Sequence, residues 1–331
     1  MNILMISTDK KIFEPESEVK SRMLDYASQI DELFIVILGM VRGLKIEGKL
    51  KYVGLTRLRA LFWKPARPAG GPLEKFDLVT SQDPFETGVI ARRLAKIVGA
   101  KLELQIHTDF LSPYFAKQSL LNRVRVMIAR WLLPKADKIR VVSERIKDSL
   151  ISDFRFPISK IEVRPIAVDT EKIKNAPIKT DLHKKYPQFD KIILMASRLT
   201  REKNIGLAIE TMCGIVREKP NTGLIIVGSG AEEKRLKLKA KSYKLEASIV
   251  FEPWADQVTL ISYYKTTDLF LVTSFYEGYG MTFVEAQAAG CPIVSTDVGA
   301  ARVLVEKDKS SYIVPVGDSD QLSWAIAQAL S

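Results

Sequence analysis

The sequence predicts an α/β protein with two successive doubly wound domains. Short apolar runs alternate with amphipathic stretches along the whole chain, which is typical of a mostly parallel sheet covered by helices. The chain has 331 residues, whereas a single core rarely grows beyond about 250–300 residues. A polar, lysine-rich passage over residues 169–190 interrupts the alternation, which then restarts. We therefore expect an N-terminal domain over residues 1–175 and a C-terminal domain over residues 176–331.

Five strands are predicted in each domain, each as an apolar run followed by a turn or a helical stretch. In the first domain the runs cover residues 3–7, 33–38, 77–81, 102–107 and 138–143. In the second they cover residues 192–196, 223–228, 249–252, 269–273 and 292–296. Amphipathic spacing predicts helices over residues 18–28 and 88–98. Because ligands of doubly wound sheets bind beyond the carboxyl ends of the strands, we expect the chemistry there, in a cleft between the two domains.

The composition excludes several classes of protein. No run approaches the ~18 apolar residues of a membrane span, and the first strand is too short for a signal peptide. Only Cys213 and Cys291 are present, with no CxxC and no histidine cluster, which argues against a disulfide framework and a structural zinc site. These features predict a cytoplasmic protein.

Positive charge is concentrated in the N-terminal domain. Residues 1–175 contain 31 Lys and Arg against 21 Asp and Glu, while residues 176–331 contain 19 against 18. This asymmetry suggests that the first domain has an anionic partner, with an anionic membrane surface and nucleic acid as the two candidates. No nucleic-acid-binding module is recognisable, so the membrane is favoured.

Two stretches without acidic residues carry this charge. The first lies between Glu47 and Glu74 and interleaves six basic residues, Arg67 among them, with Leu58, Leu61 and Phe62. The second covers residues 110–136 and has helical spacing. Its apolar side chains on one face are Leu120, Val124, Met127, Ile128 and Trp131. A basic amphipathic helix with a tryptophan is typical of an interfacial membrane anchor, and the alternative is a helix packed on the sheet with a solvated basic face.

The segment with the clearest chemistry follows the predicted strand 269–273. It contains Glu277, Gly278, Gly280 and Glu285, and a helix is expected from about Thr282 to a Gly290 C-cap, with Pro292 blocking its continuation. The glycines let the backbone approach a ligand closely, and the helix start offers N–H groups to phosphate or sugar hydroxyls. A carboxylate here suits ribose hydroxyls. Each glutamate alone would read as a helix acid or a solvated loop charge, but together in this setting they indicate a binding site.

The spacing of Glu277 and Glu285 resembles the E-x7-E signature of retaining glycosyltransferases with the GT-B fold, specifically glycosyltransferase family 4. Five further segments resemble family motifs in the same order along the chain. They are residues 105–109 (T.H.), 136–144 (AD.I..VSE), 196–204 (GRL…KG), 224–230 (L.IVG.G) and 267–274 (ADV.V.PS). The resemblance implies two Rossmann-like domains that face each other across a cleft.

Arg198 and Lys203 also have independent support from charge and position. They follow the predicted strand 192–196, where an arginine fork and a lysine point charge can grip a diphosphate. The resemblance implies that this pair binds the donor diphosphate. Two protein cations in that role would replace a metal ion, so no cofactor or metal is expected.

The resemblance implies roles for the remaining candidates. Glu285 holds the ribose, and Glu277 orients the hexose with the backbone of Gly280, Met281 and Thr282. Gly228, in the L.IVG.G turn, is expected at the donor site. His107, at the end of a strand of the first domain, is expected to contact the donor sugar, although a lone histidine is more often structural. Trp254 can stack on the nucleobase or pack in the core.

Two other motif matches are weak. Gly228-Ser-Gly230 lacks the third glycine of a dinucleotide fingerprint, which disfavours a nicotinamide enzyme. Asp318-Ser319-Asp320 resembles a metal-binding DxD, but it immediately precedes a predicted helix, so an N-cap is expected.

The chain also departs from the family pattern in three places, one of which is Phe251-Glu252-Pro253-Trp254, where the family usually has F.G near the base pocket. The loop after the first strand has no glycine pair, so acceptor-side details cannot be carried over. The chain ends at Ser331 without the stretch that crosses back to the first domain, and we expect a truncated C-terminal end.

The sequence therefore predicts a retaining, metal-independent hexosyltransferase that uses a UDP- or GDP-linked sugar. The expected acceptor is a lipid-linked sugar or polysaccharide precursor at the inner face of the cell membrane, with attack on the same face as the leaving group. Two alternatives remain open. One is a GT-B nucleotide-sugar epimerase or phosphorylase, and the other is a non-catalytic, membrane-associated scaffold that binds a nucleotide sugar.

Overall fold

The computed structural model describes residues 1–65, 75–305 and 310–331 and divides the chain into two compact units. The first unit consists of Met1–Leu111 and Ser119–Arg164, and the second of Ser112–Gln118 and Pro165–Ser331. The main division thus falls ahead of residue 175, because the helix at 170–175 buries Ile173 and packs on the helix that follows Gly280. Arg67 of the first basic stretch lies outside the described residues.

Within the described residues, the first unit contains one eight-stranded sheet in the order β3-β4-β2-β1-β5-β6-β7-β8. Its strands are β1 (Asn2–Ser7), β2 (Glu32–Leu38), β3 (Arg42–Glu47), β4 (Leu50–Leu55), β5 (Leu78–Ser81), β6 (Lys101–Ile106), β7 (Lys138–Val141) and β8 (Ile161–Val163). Only β3 pairs antiparallel with its neighbour, and the other pairings are parallel. The five predicted strands are confirmed as β1, β2, β5, β6 and β7.

The helices agree with the predicted alternation. In chain order they are α1 (Glu18–Ser28), α2 (Arg57–Phe62), α3 (Glu86–Val98), α4 (Pro113–Gln118), α5 (Leu120–Leu132), α6 (Glu144–Phe154), α7 (Thr170–Asn175), α8 (Leu182–Lys185), α9 (Ile205–Glu218), α10 (Glu233–Ser242), α11 (Gln257–Thr266), α12 (Met281–Ala288), α13 (Ala301–Val305) and α14 (Ser319–Ala329). Serine caps start several of them, as where Ser119 accepts the backbone N–H of Asn122. The passage predicted as a linker contains α7 and α8.

The second unit contains, in the part that the structure describes, a six-stranded parallel sheet in the order β11-β10-β9-β12-β13-β14. Its strands are β9 (Lys191–Ala196), β10 (Thr222–Val227), β11 (Ile249–Glu252), β12 (Leu269–Val272), β13 (Ile293–Thr296) and β14 (Tyr312–Val314). All five predicted strands are present. Both faces of this sheet are covered by apolar clusters, which accounts for the continuous apolar character of these strands.

Parallel register brings the carboxyl ends of three central strands to one edge of this sheet. Val227 of β10 pairs with Ala196 of β9, and β12 pairs with β9 on the other side. The loops that follow these strands begin at Ser197, Gly228 and Thr273. These loops carry most of the predicted donor-site residues, so the fold collects them at one edge.

Candidate active site

Hydrogen bonds fix the loop after β9 to the loop after β12. The hydroxyl of Thr273 donates to the carbonyl oxygens of Lys203 and Asn204, at 3.0 Å each. The backbone N–H of Phe275 donates to the carbonyl of Glu202 at 2.8 Å. The loop that carries the two predicted cations and the loop that carries Glu277 are therefore held together as one surface.

Lys203 and Glu277 form an ion pair on this surface. The Lys203 Nζ lies 2.5 Å from Glu277 Oε1, and both side chains are 15% exposed. The same carboxylate oxygen accepts the hydroxyl of Ser274 at 2.8 Å. Because both side chains are largely buried, the pair has a fixed geometry, which an exposed lysine on a flexible stem would lack. The first glutamate of the E-x7-E spacing is thus paired with Lys203, one of the two residues predicted to bind the diphosphate.

Arg198 is far more exposed than Lys203. Its side chain is 70% exposed, and its Nη2 lies 3.4 Å from Glu202 Oε1, four residues along the chain. The same Glu202 oxygen accepts the hydroxyl of Thr200 at the shorter distance of 2.7 Å. A long, exposed ion pair of this kind contributes about 0–1 kcal/mol to stability. The guanidinium can therefore leave Glu202 for an anionic ligand at little cost.

The start of α12 has the geometry expected for binding an anion. Gly280 is its N-cap with φ of 84°, and a Cβ there would lie 2.5 Å from the ring of Phe283. Because glycine has no capping side chain, the first N–H groups of the helix, at Met281 and Thr282, receive no side-chain cap. The predicted C-cap is confirmed, since Gly290 adopts the left-handed conformation just past the helix.

Glu285 lies on the buried side of α12. Its Oε2 accepts the hydroxyl of Tyr264 at 3.2 Å, and desolvation raises the pKa of this carboxyl. Burial also raises the pKa of Tyr264, with the Glu285 charge as the next cause. In this state Glu285 contributes to the packing between α12 and α11, and its role toward ribose stays a prediction.

The structure shows the surroundings of two further residues that are predicted to contact the donor, Gly228 and Trp254. Gly228 has φ of 142°, and a Cβ there would lie 1.9 Å from the carbonyl oxygen of Ser197, so glycine is required for this close approach of two backbones. Trp254 lies on the loop between β11 and α11 and is 65% exposed. Packing in the core, the alternative for Trp254, is therefore wrong, and its ring is free to stack on a planar ligand.

His107 directly follows β6 in the first unit. Its Nε2 lies 3.1 Å from Oε1 of Gln105, which is on the same face of the strand. Desolvation, followed by the charges of Arg140 and Arg22, lowers the pKa of His107 to about 4. The ring is thus neutral at physiological pH and can accept a hydrogen bond.

The sequence reasoning missed α4, which counts with the second unit although the chain on both sides of it belongs to the first. Tyr114 stacks on Phe275 with ring centroids 5.0 Å apart and planes 15° apart, and Phe115 meets Tyr276 edge to face. The Tyr276 hydroxyl donates to Oε1 of Gln118 at 2.8 Å. These contacts brace the residue next to Glu277. They join positions far apart in sequence, so no local spacing could have indicated them.

The basic helix of the first unit is α5, and its apolar face is uncovered. Leu120 is 75% exposed and Met127 is 69% exposed, while Val124 and Trp131 are exposed and Ile128 is half-buried. The helix packs inward through Ala129 and Leu132 instead. The face predicted from the spacing is therefore exposed, and the side chains through which α5 packs lie outside it.

A second exposed apolar helix, α2, also packs on α3. Leu58 and Phe62 are exposed on it, and Arg93 of α3 donates to the carbonyl of Trp63 at 3.0 Å. At the N-terminus of α3, Glu86 pairs with Arg125 of α5 at 3.1 Å. Desolvation raises the pKa of Glu86, but its hydrogen bonds and the charges of Arg125 and of Arg57 on α2 outweigh this effect, so the pKa is lowered. We call the exposed faces of α2 and α5 the basic apolar face.

Two features of the described residues bear on the predicted partners. No helix among residues 1–65, 75–305 and 310–331 is long and apolar enough to cross a membrane. Within the same ranges, no group of three or more His, Cys, Asp or Glu side chains is arranged to hold a metal ion. Asp318 of the DxD-like sequence has another role, since the predicted N-cap is confirmed: its side chain accepts the backbone N–H of Gln321.

Two protein-family models match the chain in succession. The model described as Glycosyltransferase Family 4 matches residues 43–172. The model described as Glycosyl transferases group 1 matches residues 179–331. The two matches together cover most of the chain, and each falls largely within one of the two units.

Curated relatives are similar over about three quarters of the chain. Alpha-monoglucosyldiacylglycerol synthase of Streptococcus pneumoniae is 26% identical over 265 residues, which are 77% of this chain and 59% of the relative. UDP-Gal:alpha-D-GlcNAc-diphosphoundecaprenol alpha-1,3-galactosyltransferase of Escherichia coli is 25% identical over 77% of this chain and 66% of its own length. The chain thus spans about six tenths of the length of these relatives.

Solved structures share the fold over the whole chain. Sucrose-phosphate synthase from Thermosynechococcus elongatus superposes with a TM-score of 0.76 and 18% identity, covering 100% of this chain and 90% of its own. HepE from Anabaena, solved in complex with UDP, superposes with a TM-score of 0.72 and 19% identity, again covering 100% and 90%. At this level of identity the likeness concerns the fold.

Proposed function

Because the chain belongs to the GT-B glycosyltransferases related to family 4, we propose that it transfers a hexose from a UDP- or GDP-linked sugar to an acceptor hydroxyl. The transfer retains the configuration at the anomeric carbon and needs no metal ion. The observation that carries the proposal is the Lys203–Glu277 pair, fixed at the strand edge where the uncapped start of α12 and the exposed Arg198 also lie.

The donor diphosphate binds this edge through charge. Arg198 and Lys203 supply two positive charges, and the N-terminus of α12 supplies the positive end of a helix dipole. Their charges stabilise the negative charge that develops on the leaving diphosphate, which is the role a metal ion has in other transferases. Glu277 then has two functions, since it holds Lys203 in place and offers its second oxygen to hexose hydroxyls.

We propose the same-face reaction that the resemblance to family 4 implies, and two contacts in the site support it. Glu277 is neutralised by Lys203, so it is a poor nucleophile, and Glu285 faces Tyr264. We therefore assign the acceptor's proton to an oxygen of the leaving diphosphate. The C–O bond to that diphosphate breaks as the acceptor oxygen bonds to the same face of the sugar, and retention follows.

The acceptor is a lipid-linked sugar or polysaccharide precursor, met at an anionic membrane on its cytoplasmic face. The basic apolar face of the first unit supports this part of the proposal. Its exposed Leu120, Met127 and Phe62 can enter the interfacial region, while the arginines and lysines beside them pair with lipid phosphates. The names of two of the similar curated proteins contain a lipid, a monoglucosyldiacylglycerol in one and a GlcNAc-diphosphoundecaprenol in the other.

Thermal unfolding in EDTA tests the donor site. We expect UDP or GDP, and the matching nucleotide sugar, to raise the melting temperature without added metal. Ligand at about 100 times its dissociation constant stabilises a folded protein by about 2.7 kcal/mol. A shift that requires Mg²⁺ or Mn²⁺ would overturn the metal-independent site, and no shift with any nucleotide would overturn the donor assignment.

A further inference from the structure

A line of polar side chains runs through the sheet of the first unit and ends at His107. Glu103, Gln105 and His107 occupy alternate positions along β6 and its end, so they share one face of the sheet. Thr80 of the neighbouring strand β5 is in register with Glu103. Thr80, Glu103 and Gln105 are all buried. Polar groups buried in a sheet are costly unless each has a hydrogen-bond partner.

Each member of this line has such a partner. Thr80 Oγ1 donates to Glu103 Oε1 at 3.0 Å, Gln105 Nε2 donates to Thr80 Oγ1 at 2.9 Å, and His107 Nε2 lies 3.1 Å from Gln105 Oε1. The result is a continuous chain of three hydrogen bonds from a buried carboxylate to the ring of His107.

The chemistry of Glu103 fixes the direction of every bond in this chain. An ionised carboxylate can only accept, so the Thr80 hydroxyl must give its single hydrogen to Glu103. The Thr80 oxygen must then accept from the amide group of Gln105, which turns the Gln105 oxygen toward His107. An amide oxygen can only accept, so the hydrogen of the neutral imidazole must lie on Nε2. Nδ1 is then left as an acceptor, and it makes no hydrogen bond within the part of the chain that is described.

We propose that Glu103, acting through Thr80 and Gln105, is a positioning residue that holds His107 in the Nε2–H tautomer, so that Nδ1 accepts a hydrogen bond from a sugar hydroxyl. The tautomer of His107 does not depend on the proposed function. The claim that a sugar supplies the hydroxyl group does rest on the proposed function. The hydroxyl belongs either to the transferred hexose or to the acceptor.

Burial, together with the charges around His107, keeps its ring in the neutral form that this role requires. Desolvation first, and then the charges of Arg140 on β7 and Arg22 on α1, lower the pKa of His107 to about 4. Lys138 of β7 lies 4.0 Å from the other oxygen of Glu103, so a cation faces this buried carboxyl group. Above about pH 5 the ring of His107 is therefore neutral.

Nitrogen NMR of the histidine rings tests the tautomer directly, and the chain has two histidines. With ¹⁵N-labelled histidine at pH 7, we expect Nε2 of His107 in the protonated range and Nδ1 in the unprotonated range. The same chain unfolded in urea provides the reference mixture of tautomers. His183→Asn assigns the signals.

Glu103→Gln is the informative variant because it keeps the shape of the side chain but can also donate. The direction of the chain is then no longer fixed, and we expect the Nδ1–H form of His107 to become populated while the signals of His183 stay unchanged. A wild-type ring in the Nδ1–H form, or a folded Glu103→Gln variant with the wild-type tautomer, would overturn the proposal.

Kinetics with UDP-glucose as the probe donor identify the source of the hydroxyl. Loss of one such hydrogen bond weakens binding by about threefold to tenfold. If the hexose donates it, Glu103→Gln raises the KM for UDP-glucose by this factor and leaves the Kd for UDP unchanged. If the acceptor donates it, the acceptor KM rises instead. Unchanged kinetics together with a changed tautomer would overturn the sugar contact.

Discussion

Replacing Arg198 with alanine should weaken the binding of the donor's nucleoside diphosphate by about 100-fold or more. A hydrogen bond to a charged group is worth about 1.5–3 kcal/mol, and a planar guanidinium can make two to a diphosphate. The exposed Arg198 contributes little to the fold through its 3.4 Å pair with Glu202. We therefore expect an unchanged melting temperature for the free protein, and isothermal titration calorimetry in EDTA measures the loss of affinity.

Arg201→Ala is the matched control for this measurement. Arg201 lies on the same loop, is as exposed as Arg198 and has a comparable ion pair with Glu232 at 3.5 Å. Its loss should change nucleotide affinity by less than about threefold, an effect of general charge alone. Equal losses in both variants would mean that the loop attracts the nucleotide only through its net charge, and an unaffected Arg198→Ala would contradict the assignment.

The double variant Leu120→Glu, Met127→Glu should lose at least about 100-fold in affinity for anionic vesicles. Burying each apolar side chain contributes about 1.5–3 kcal/mol, and a tenfold change in affinity corresponds to about 1.4 kcal/mol. The two glutamates also oppose the negative surface of the vesicle. Co-sedimentation with phosphatidylglycerol vesicles measures the effect, and because both positions are exposed, the fold should be retained.

Leu238→Glu provides the control for the membrane prediction. Leu238 is an exposed leucine on α10, which also carries many lysines, but several of these cations are paired with glutamates. We expect wild-type vesicle binding from this variant. A wild-type affinity in the α5 double variant would show that α5 does not enter the membrane. Affinity lost equally in the Leu238 variant would show a general electrostatic attraction.

The parallel strands were predictable because their signal is local. Buried strands of a parallel sheet are continuous apolar runs, and β9, β10 and β12 all have this character. The strand β3 was missed for the opposite reason, since Arg42–Glu47 is an exposed edge strand whose charged side chains resemble a basic loop. At an edge, charged residues discourage pairing with other chains. They also interrupt the apolar run from which a strand is predicted.

The residues of the candidate site were likewise predictable where the signal is local in the sequence. Motif spacing placed Arg198, Lys203 and Glu277 on loops at one sheet edge, and the structure brings the last two into contact. The burial of Glu285 against Tyr264 depends on how two helices pack, which no spacing along the chain encodes. The support that α4 gives to Tyr276 likewise depends on contacts between distant segments.

The configuration of the newly formed glycosidic bond tests the central claim most directly. The protein, in EDTA and with vesicles that carry a lipid-linked acceptor, is given the nucleotide sugar that stabilises it, and the product is analysed by proton NMR. We predict a new glycoside in which the sugar keeps the anomeric configuration that it has in the donor. An inverted product would contradict the same-face reaction. An epimerised donor or a sugar phosphate without any glycoside would show that the chain is an epimerase or a phosphorylase, and an unchanged donor would indicate a binding scaffold.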